Sequence, residues 1–322
     1  MNTIILFYNY VRIDDPQKLA AEQRALCKEL GLKGRTIIAK EGINATLEGT
    51  ADAIEKYLAV FLADSRFAHT HIKKSAGTVA GTAFPKLSIK VRDEIVSLSL
   101  PKEQDFSPQE TTGKYISAEE FHEWMQRKNN PAAAGVSSAD ADFEIVDMRN
   151  DYEHKVGHFK GSILPPLSNF RDLPKVLPTL EPLKKKKIVT VCTGGVRCEK
   201  ASGYLVKNGF EDVYQLQGGI VTYMEKFEQK KGENFLGSLY VFDERVTMAF
   251  APADARPIIA SCEYCQTPSE NYINCRDNSC HNHFIICKKC QAERGVEHES
   301  ALCFKCSTKN ANTVNASHTV AA

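Results

Sequence analysis

The chain has 322 residues, 43% hydrophobic and 25% charged, which fits a folded chain of two or three domains and excludes a mainly disordered or collagen-like one. Lys plus Arg number 41 against 40 Asp plus Glu, so a histone-like polycation is excluded but a local basic face is not. The longest apolar run, near residues 57–63, is far too short for a membrane span, and the first residues carry no basic, cleavable leader; a cytoplasmic protein is expected.

Thr3-Ile-Ile-Leu-Phe-Tyr8 reads as a strand. Asp15-Pro16 opens a helix to about Leu30, on which Leu19, Leu26, Cys27 and Leu30 share a face, so Cys27 belongs to a core. Residues 34–39 and 43–48 form a hairpin around Lys40-Glu-Gly42, and residues 51–62 form an amphipathic helix. Residues 67–73 and 87–91 are further strand candidates. The order strand, helix, strand, strand, helix, strand is the ferredoxin-like pattern. Residues 102–113 are polar and read as a linker.

A second alternation begins near Tyr115. Ser117 and Glu120 form a capping box before a helix that bears Trp124, the only tryptophan. Residues 129–141 read as a surface loop. Strands at 143–146, 188–191 and 213–216 alternate with helices, one of them expected over 198–208, which implies a parallel sheet covered on both faces. The tail 307–322 is small and polar, the composition of a disordered segment.

Eight of the eleven cysteines lie between Cys262 and Cys306, in four short-spaced pairs: Cys262 and Cys265, Cys275 and Cys280, Cys287 and Cys290, Cys303 and Cys306. Such pairs let thiolates converge on a tetrahedral ion, so two four-cysteine sites are expected, with zinc the first choice on ligand softness and iron the second. Pairing in sequence order or interleaved are both open. His281, His283 and His298 read as surface or outer groups.

The most informative segment is Ile188-Val-Thr-Val-Cys192-Thr-Gly-Gly-Val-Arg197-Cys-Glu-Lys-Ala. A buried strand delivers a cysteine into a loop of Thr193, Gly194, Gly195 and Val196, which leads to an arginine and a helix. Inward amides and a helix N-terminus behind the sulfur stabilise a thiolate. Arg197 can hold an anion or brace the loop. Cys198 can serve as a second thiol, or merely pack.

This segment resembles the rhodanese domain. Asp147-Met-Arg149, Tyr152-Glu153, Gly157-His158-Phe-Lys-Gly161 and Leu216-Gln-Gly-Gly219 support the likeness over about residues 115–230. The resemblance implies that Cys192 is the reactive residue, that Asp147 and Arg149 support its loop, and that His158 is structural. With Ala39-Lys-Glu-Gly-Ile-Asn-Ala-Thr46 and the cysteine-rich end, the whole chain resembles the rhodanese-like tRNA uridine(34) hydroxylase family. The implied layout is an α/β chain: a ferredoxin-like (acylphosphatase-like) domain over 1–101, a linker over 102–113, a parallel α/β rhodanese domain over 114–232, a zinc-binding region over 233–306 and a disordered tail over 307–322. The implied reaction is oxygen-dependent hydroxylation of the wobble uridine of tRNA at C5, with the electron donor and oligomeric state left open. The alternative is a sulfurtransferase that carries a persulfide on Cys192.

No two-His-one-carboxylate set and no Gly-x-Gly-x-x-Gly after a strand occurs, so the thiols are the reactive groups at hand. Addition of the Cys192 thiolate to C6 of uracil would enrich C5 for oxidation. A tRNA partner also calls for positive surface, for which Lys40, Lys73, Lys74, Lys86, Lys90, Arg92 and the run Lys184–Lys187 are candidates. Tyr152 and Phe170 are candidate stacking partners for a displaced base.

Overall fold

The computed structural model describes residues 2–308 except 79, 133–134, 136, 138–141, 229–232, 250, 252–255, 281 and 295–299. Most of the expected tail, together with His281 and His298, lies outside the described residues, as does much of the expected loop at 129–141.

The N-terminal layer comprises β1 (Asn2–Tyr10), α1 (Pro16–Glu29), β2 (Lys33–Ala39), β3 (Gly42–Thr50), α2 (Ala51–Ala63), β4 (Lys73–Ala76) and β5 (Leu87–Val91). Its sheet order is β4-β1-β3-β2-β5, the ferredoxin-like arrangement with β5 added parallel to β2. Asp15 caps α1 by accepting from Lys18 N–H at 2.9 Å, and Thr50 caps α2 in the same way from Ala53. The strand expected over 67–73 is displaced to 73–76. Phe67 instead stacks on Phe61 of α2, with centroids 4.6 Å apart, and the chain around it turns back on itself.

Alternation along β1 sets up the rest of the molecule. Ile5 and Phe7 enter the core beneath the two helices, where the Phe7 ring lies 4.7 Å from Phe61. Leu6, Tyr8 and Tyr10 therefore point from the other face. That face is not solvated: it rests on the second domain.

The second domain comprises β6 (Lys114–Ile116), α3 (Ala118–Asn129), β7 (Glu144–Asp147), α4 (Asp151–His154), β8 (Gly157–Phe159), β9 (Ser162–Ile163), α5 (Leu173–Leu180), β10 (Lys187–Val191), α6 (Val196–Lys207), β11 (Asp212–Leu216) and α7 (Gly219–Lys226). The five-stranded sheet β6-β11-β10-β7-β9 is parallel throughout. Residues of α3 and α7 fill one core and those of α5 and α6 fill another on the opposite face, so central strands read as unbroken apolar runs.

The remaining elements are β12 (Phe235–Gly237), β13 (Leu239–Tyr240), β14 (Thr247–Met248), β15 (Tyr272–Cys275), β16 (His283–Ile285), α8 (Lys288–Glu293) and β17 (Ser300–Ala301). β12 pairs with β8, and Phe235, Leu239 and Val241 pack into the same core as α3 and α7. The cysteine-rich end is thus continuous with the parallel domain. Among the described residues no helix is long and apolar enough to cross a membrane.

Candidate active site

The loop after β10 wraps around a single sulfur. Cys192 is 0% exposed, and Gly195 N–H donates to its Sγ at 3.2 Å. Gly195 has φ +102°, a left-handed conformation that lets the chain turn inward and start α6 at once. The helix consequently begins at Val196, two residues before the expected start, and Arg197 and Cys198 stand in its first turn. From the other side, Ile220 and Val221 N–H of α7 donate to the Cys192 and Thr193 carbonyls at 2.9 and 3.0 Å. Gly219 (φ +70°) makes that approach possible, since a Cβ there would sit 2.6 Å from the Cys192 carbonyl oxygen and 2.7 Å from Gly195 N.

Burial alone would push the Cys192 thiol up. A hydrogen bond from Cys198, the Arg197 charge and the amides of Cys198 and Gly195 outweigh it and bring the group down to about 6. Cys198 moves well above the usual thiol range, by burial and by its position beside that thiolate. Of the two buried sulfurs, Cys192 is thus the one held as a thiolate and Cys198 the one that keeps its proton and donates to it.

Arg197 is not open to an anion. Its guanidinium forms a fork with the wholly buried Glu153 carboxylate, in which Nη2 donates to Oε2 at 2.8 Å, and it reaches Thr193 Oγ1 at 3.2 Å. This fork is the geometry of the brace, one of the two roles open to Arg197. Glu153 was visible in the Tyr152-Glu153 motif, but nothing in sequence tied it to an arginine 44 residues away. Asp147 and Arg149 form a second buried fork at the end of β7, at 2.6 and 2.9 Å, and Arg149 also donates to the Gly157 carbonyl at 2.7 Å. The intervening Met148 N–H donates to Val191 O at 2.8 Å, which fixes the strand end that carries Cys192.

The N-terminal layer closes the site. A Cβ on Gly194 would lie 2.8 Å from Leu6, and one on Gly195 would lie 2.8 Å from the Tyr8 hydroxyl. Tyr8 donates to Glu199 at 2.9 Å and Tyr10 to the Val196 carbonyl at 3.1 Å. Lys200 of α6 is buried between Glu41 at 2.9 Å and Glu94 at 2.5 Å. This joins the Lys40-Glu-Gly hairpin to the Cys-Glu-Lys segment, two motifs that the sequence shows only as separate runs. The unbroken apolar character of β1 was the available signal that both its faces are covered. In the form described, the sulfur is sealed beneath this cover.

The basic residues do not make one face. Lys73 is 2% exposed, with its ammonium 5.2 Å from the Tyr8 ring centroid; burial brings it down to about 8, partly offset by the negative charge of Cys192. It points inward because β4 alternates, and it departs from the expected surface contact. Lys74 is exposed and paired with Glu55 at 2.6 Å. Lys86, Lys90 and Arg92 are exposed near β5, and Lys40 in its hairpin. β4 and β5 are the opposite edges of the sheet, four strand spacings or about 19 Å apart, so the expected cluster separates into two.

The eight C-terminal cysteines gather into two sets, Cys262, Cys265, Cys287 and Cys290, and Cys275, Cys280, Cys303 and Cys306. The pairing left open by sequence is interleaved. Within each set the sulfurs lie within 4.8 Å of one another, with Cys265 to Cys287 at 3.5 Å and Cys280 to Cys303 at 3.7 Å. A tetrahedral ion with bonds of about 2.3 Å places its sulfurs about 3.8 Å apart, so each set can hold a metal. The neighbouring His283 joins neither set; it stacks on Tyr272 at 4.7 Å.

A cavity of about 860 Å³ opens where the three parts of the chain meet, lined by Arg35, by Tyr152 and Lys155, and by Tyr240, Phe242, Asn274 and Lys305. A second, of about 60 Å³, lies between Leu6, Lys73, Thr193 and Phe242. Cys192 lines neither. Tyr152 is thus on a cavity wall, whereas Phe170 is buried in the core under α5 and is not available for stacking.

Three family profiles match the chain: UPF0176 acylphosphatase like domain over residues 2–95, Rhodanese-like domain over 117–226 and Rhodanase C-terminal over 236–317. A protein of Staphylococcus carnosus named tRNA uridine(34) hydroxylase is 41% identical over 318 residues, 98% of this chain and 93% of that protein. One of Listeria monocytogenes with the same name is 44% identical over 284 residues, 88% of this chain and 83% of its own. Among solved structures, a rhodanese-like domain protein from Staphylococcus aureus is 28% identical and covers 34% of this chain and 90% of its own, with a TM-score of 0.27.

Proposed function

Since the chain belongs to the tRNA uridine(34) hydroxylase family, we propose that it is an oxidoreductase that converts the wobble uridine of tRNA to 5-hydroxyuridine, with Cys192 as nucleophile and molecular oxygen as co-substrate. The observation that carries the catalytic assignment is the set of donors around Cys192 Sγ at the start of α6, the Gly195 N–H at 3.2 Å among them, which draws the thiol below its ordinary value. The thiolate adds to C6 of uracil, C5 becomes electron-rich and attacks oxygen, and loss of the C5 proton expels the sulfur. One oxygen atom stays on C5 and the other leaves as water. The two electrons and two protons this requires come from the Cys192 and Cys198 thiols, which become a disulfide that an external dithiol reduces. Glu153, Arg197 and Thr193 hold the loop in register. The two four-cysteine sets hold zinc, whose contribution is to cross-link an end of the chain too small to bury a sufficient core.

The test is mass spectrometry of nucleosides after incubation of unmodified tRNA with protein, oxygen and dithiol. Wild type yields 5-hydroxyuridine, Cys192→Ser yields none, and Cys198→Ala gives at most a single turnover that added dithiol restores poorly. Hydroxylation by Cys192→Ser ends the covalent assignment. Thiolated nucleosides in place of hydroxylated ones would return the chain to the sulfurtransferase reading.

A further inference from the structure

We propose that the 860 Å³ cavity at the meeting of the three parts of the chain is the chamber that receives the unstacked bases of a single-stranded RNA loop, with Phe242 standing as the stacking wall between it and the Cys192 loop. The proposal rests on the tRNA reading above and assigns the place where the RNA enters.

Volume, lining and position all support it. The volume lies within the range of about 300–1,000 Å³ usual for ligand sites, enough for an extruded nucleotide with part of its neighbour. Tyr152, Tyr240 and Phe242 form one aromatic wall, with Tyr240 5.3 Å from each of the others, centroid to centroid. Single-stranded RNA is recognised by stacking on such rings and by polar groups that meet the base edges, a part that Asn169 and Asn274 can fill. Arg35, Lys155 and Lys305 bring one cation each from the N-terminal layer, the parallel domain and the cysteine-rich end, as a backbone that crosses three units requires. Three carboxylates, Asp151, Asp243 and Glu244, also line the chamber; Asp243 is neutralised by a fork from Arg245 at 2.7 and 2.8 Å.

Phe242 is shared by both cavities and is 42% exposed. Its ring centroid lies 5.8 Å from the Arg197 guanidinium carbon, and the small cavity behind it is bounded by Thr193, the residue after Cys192. A rotation of this one side chain joins the chamber to the small cavity beside Thr193. Cys280 and Cys303 line the same chamber, so the second four-cysteine set builds its third wall, which gives the cysteine-rich end a place in substrate binding.

The experiment uses the full-length protein and an anticodon stem-loop RNA with 5-iodouridine at the wobble position, which crosslinks to nearby aromatic rings on irradiation and cannot be hydroxylated at C5. The crosslink is expected on Tyr152, Tyr240 or Phe242. Phe242→Leu, at an exposed position that does not threaten folding, should weaken binding of the unlabelled stem-loop about tenfold, and Phe242→Tyr should restore it. Crosslinks confined to the lysines of β4 or β5, or a Phe242→Leu protein with wild-type affinity, overturn the chamber and leave the hydroxylase reading intact. Failure of the wild type to bind the stem-loop at all overturns both.

Discussion

Cys27 in α1 and Cys192 after β10 are both almost wholly buried, yet their thiols move in opposite directions, to about 12 and to about 6. At Cys27 burial acts alone, within the apolar core of the N-terminal layer. At Cys192 the same burial is opposed by an adjacent thiol, a guanidinium and two amides. Loss of water therefore does not by itself quench a cysteine; what matters is whether the protein replaces the water with fixed donors. The replacement is costly to assemble. It needs a left-handed glycine, a helix start, a buried ion pair and a second domain as cover, whereas the Cys27 site needs only apolar spacing.

The largest way to break the contrast is to remove the carboxylate behind it. Glu153→Gln leaves the Arg197 charge buried without its partner and should destabilise the protein by about 3–5 kcal/mol, read from urea unfolding. A loss below about 1 kcal/mol would mean that Arg197 finds another partner and that the fork does not hold the loop. Gly219→Ala comes next. Its Cβ would collide with the Cys192 carbonyl and the Gly195 amide in a left-handed conformation, at a cost of about 2 kcal/mol or more. The variant should also lose activity out of proportion to its stability, because Gly195 N–H is a donor to the sulfur. Wild-type activity in a folded Gly219→Ala protein would contradict the loop geometry.

The two pH dependences differ in sign, not only in size, and they sharpen the contrast most. Cys192 has its folded value depressed from 9.0 to about 6, so its contribution to stability is full above pH 9 and drains away as pH falls toward 6. Cys27 is raised from 9.0 to about 12, so its contribution is full below pH 9 and is lost as pH climbs toward 12. Stability differences between wild type and Cys192→Ser, and between wild type and Cys27→Ser, should therefore slope in opposite senses on the two sides of pH 9. If the thiolate is the reacting form, kcat/KM should rise through about pH 6 and level off above it. Parallel slopes would show that the two sites are electrostatically alike.

Much of this was legible before any coordinates. Asp15-Pro16 announced α1, Lys40-Glu-Gly42 announced the hairpin, and unbroken apolar strands between helices announced a parallel sheet, because each rests on chain geometry within a few residues. Cys27 as a core residue and Cys192 as a sulfur delivered by a strand into a glycine turn were legible for the same local reason, since each rests on spacing within a few residues. The eight paired cysteines announced two four-sulfur sites. The strand near Phe67 and the first turn of α6 were misplaced by a few residues, where an aromatic stack and a left-handed glycine decided the outcome.

Partnership across the chain was decided only by the tertiary structure. Which cysteines share a site, that Glu153 meets Arg197, that Glu41 and Glu94 meet Lys200, and that Lys73 turns inward while the other basic residues part to opposite sheet edges all depend on how separate layers are stacked. The physical reason is one of range. Propensity, capping and alternation act over one to four residues and are written in the order of the chain, whereas a charge or a sulfur takes its meaning from whatever packing brings within a few ångströms of it.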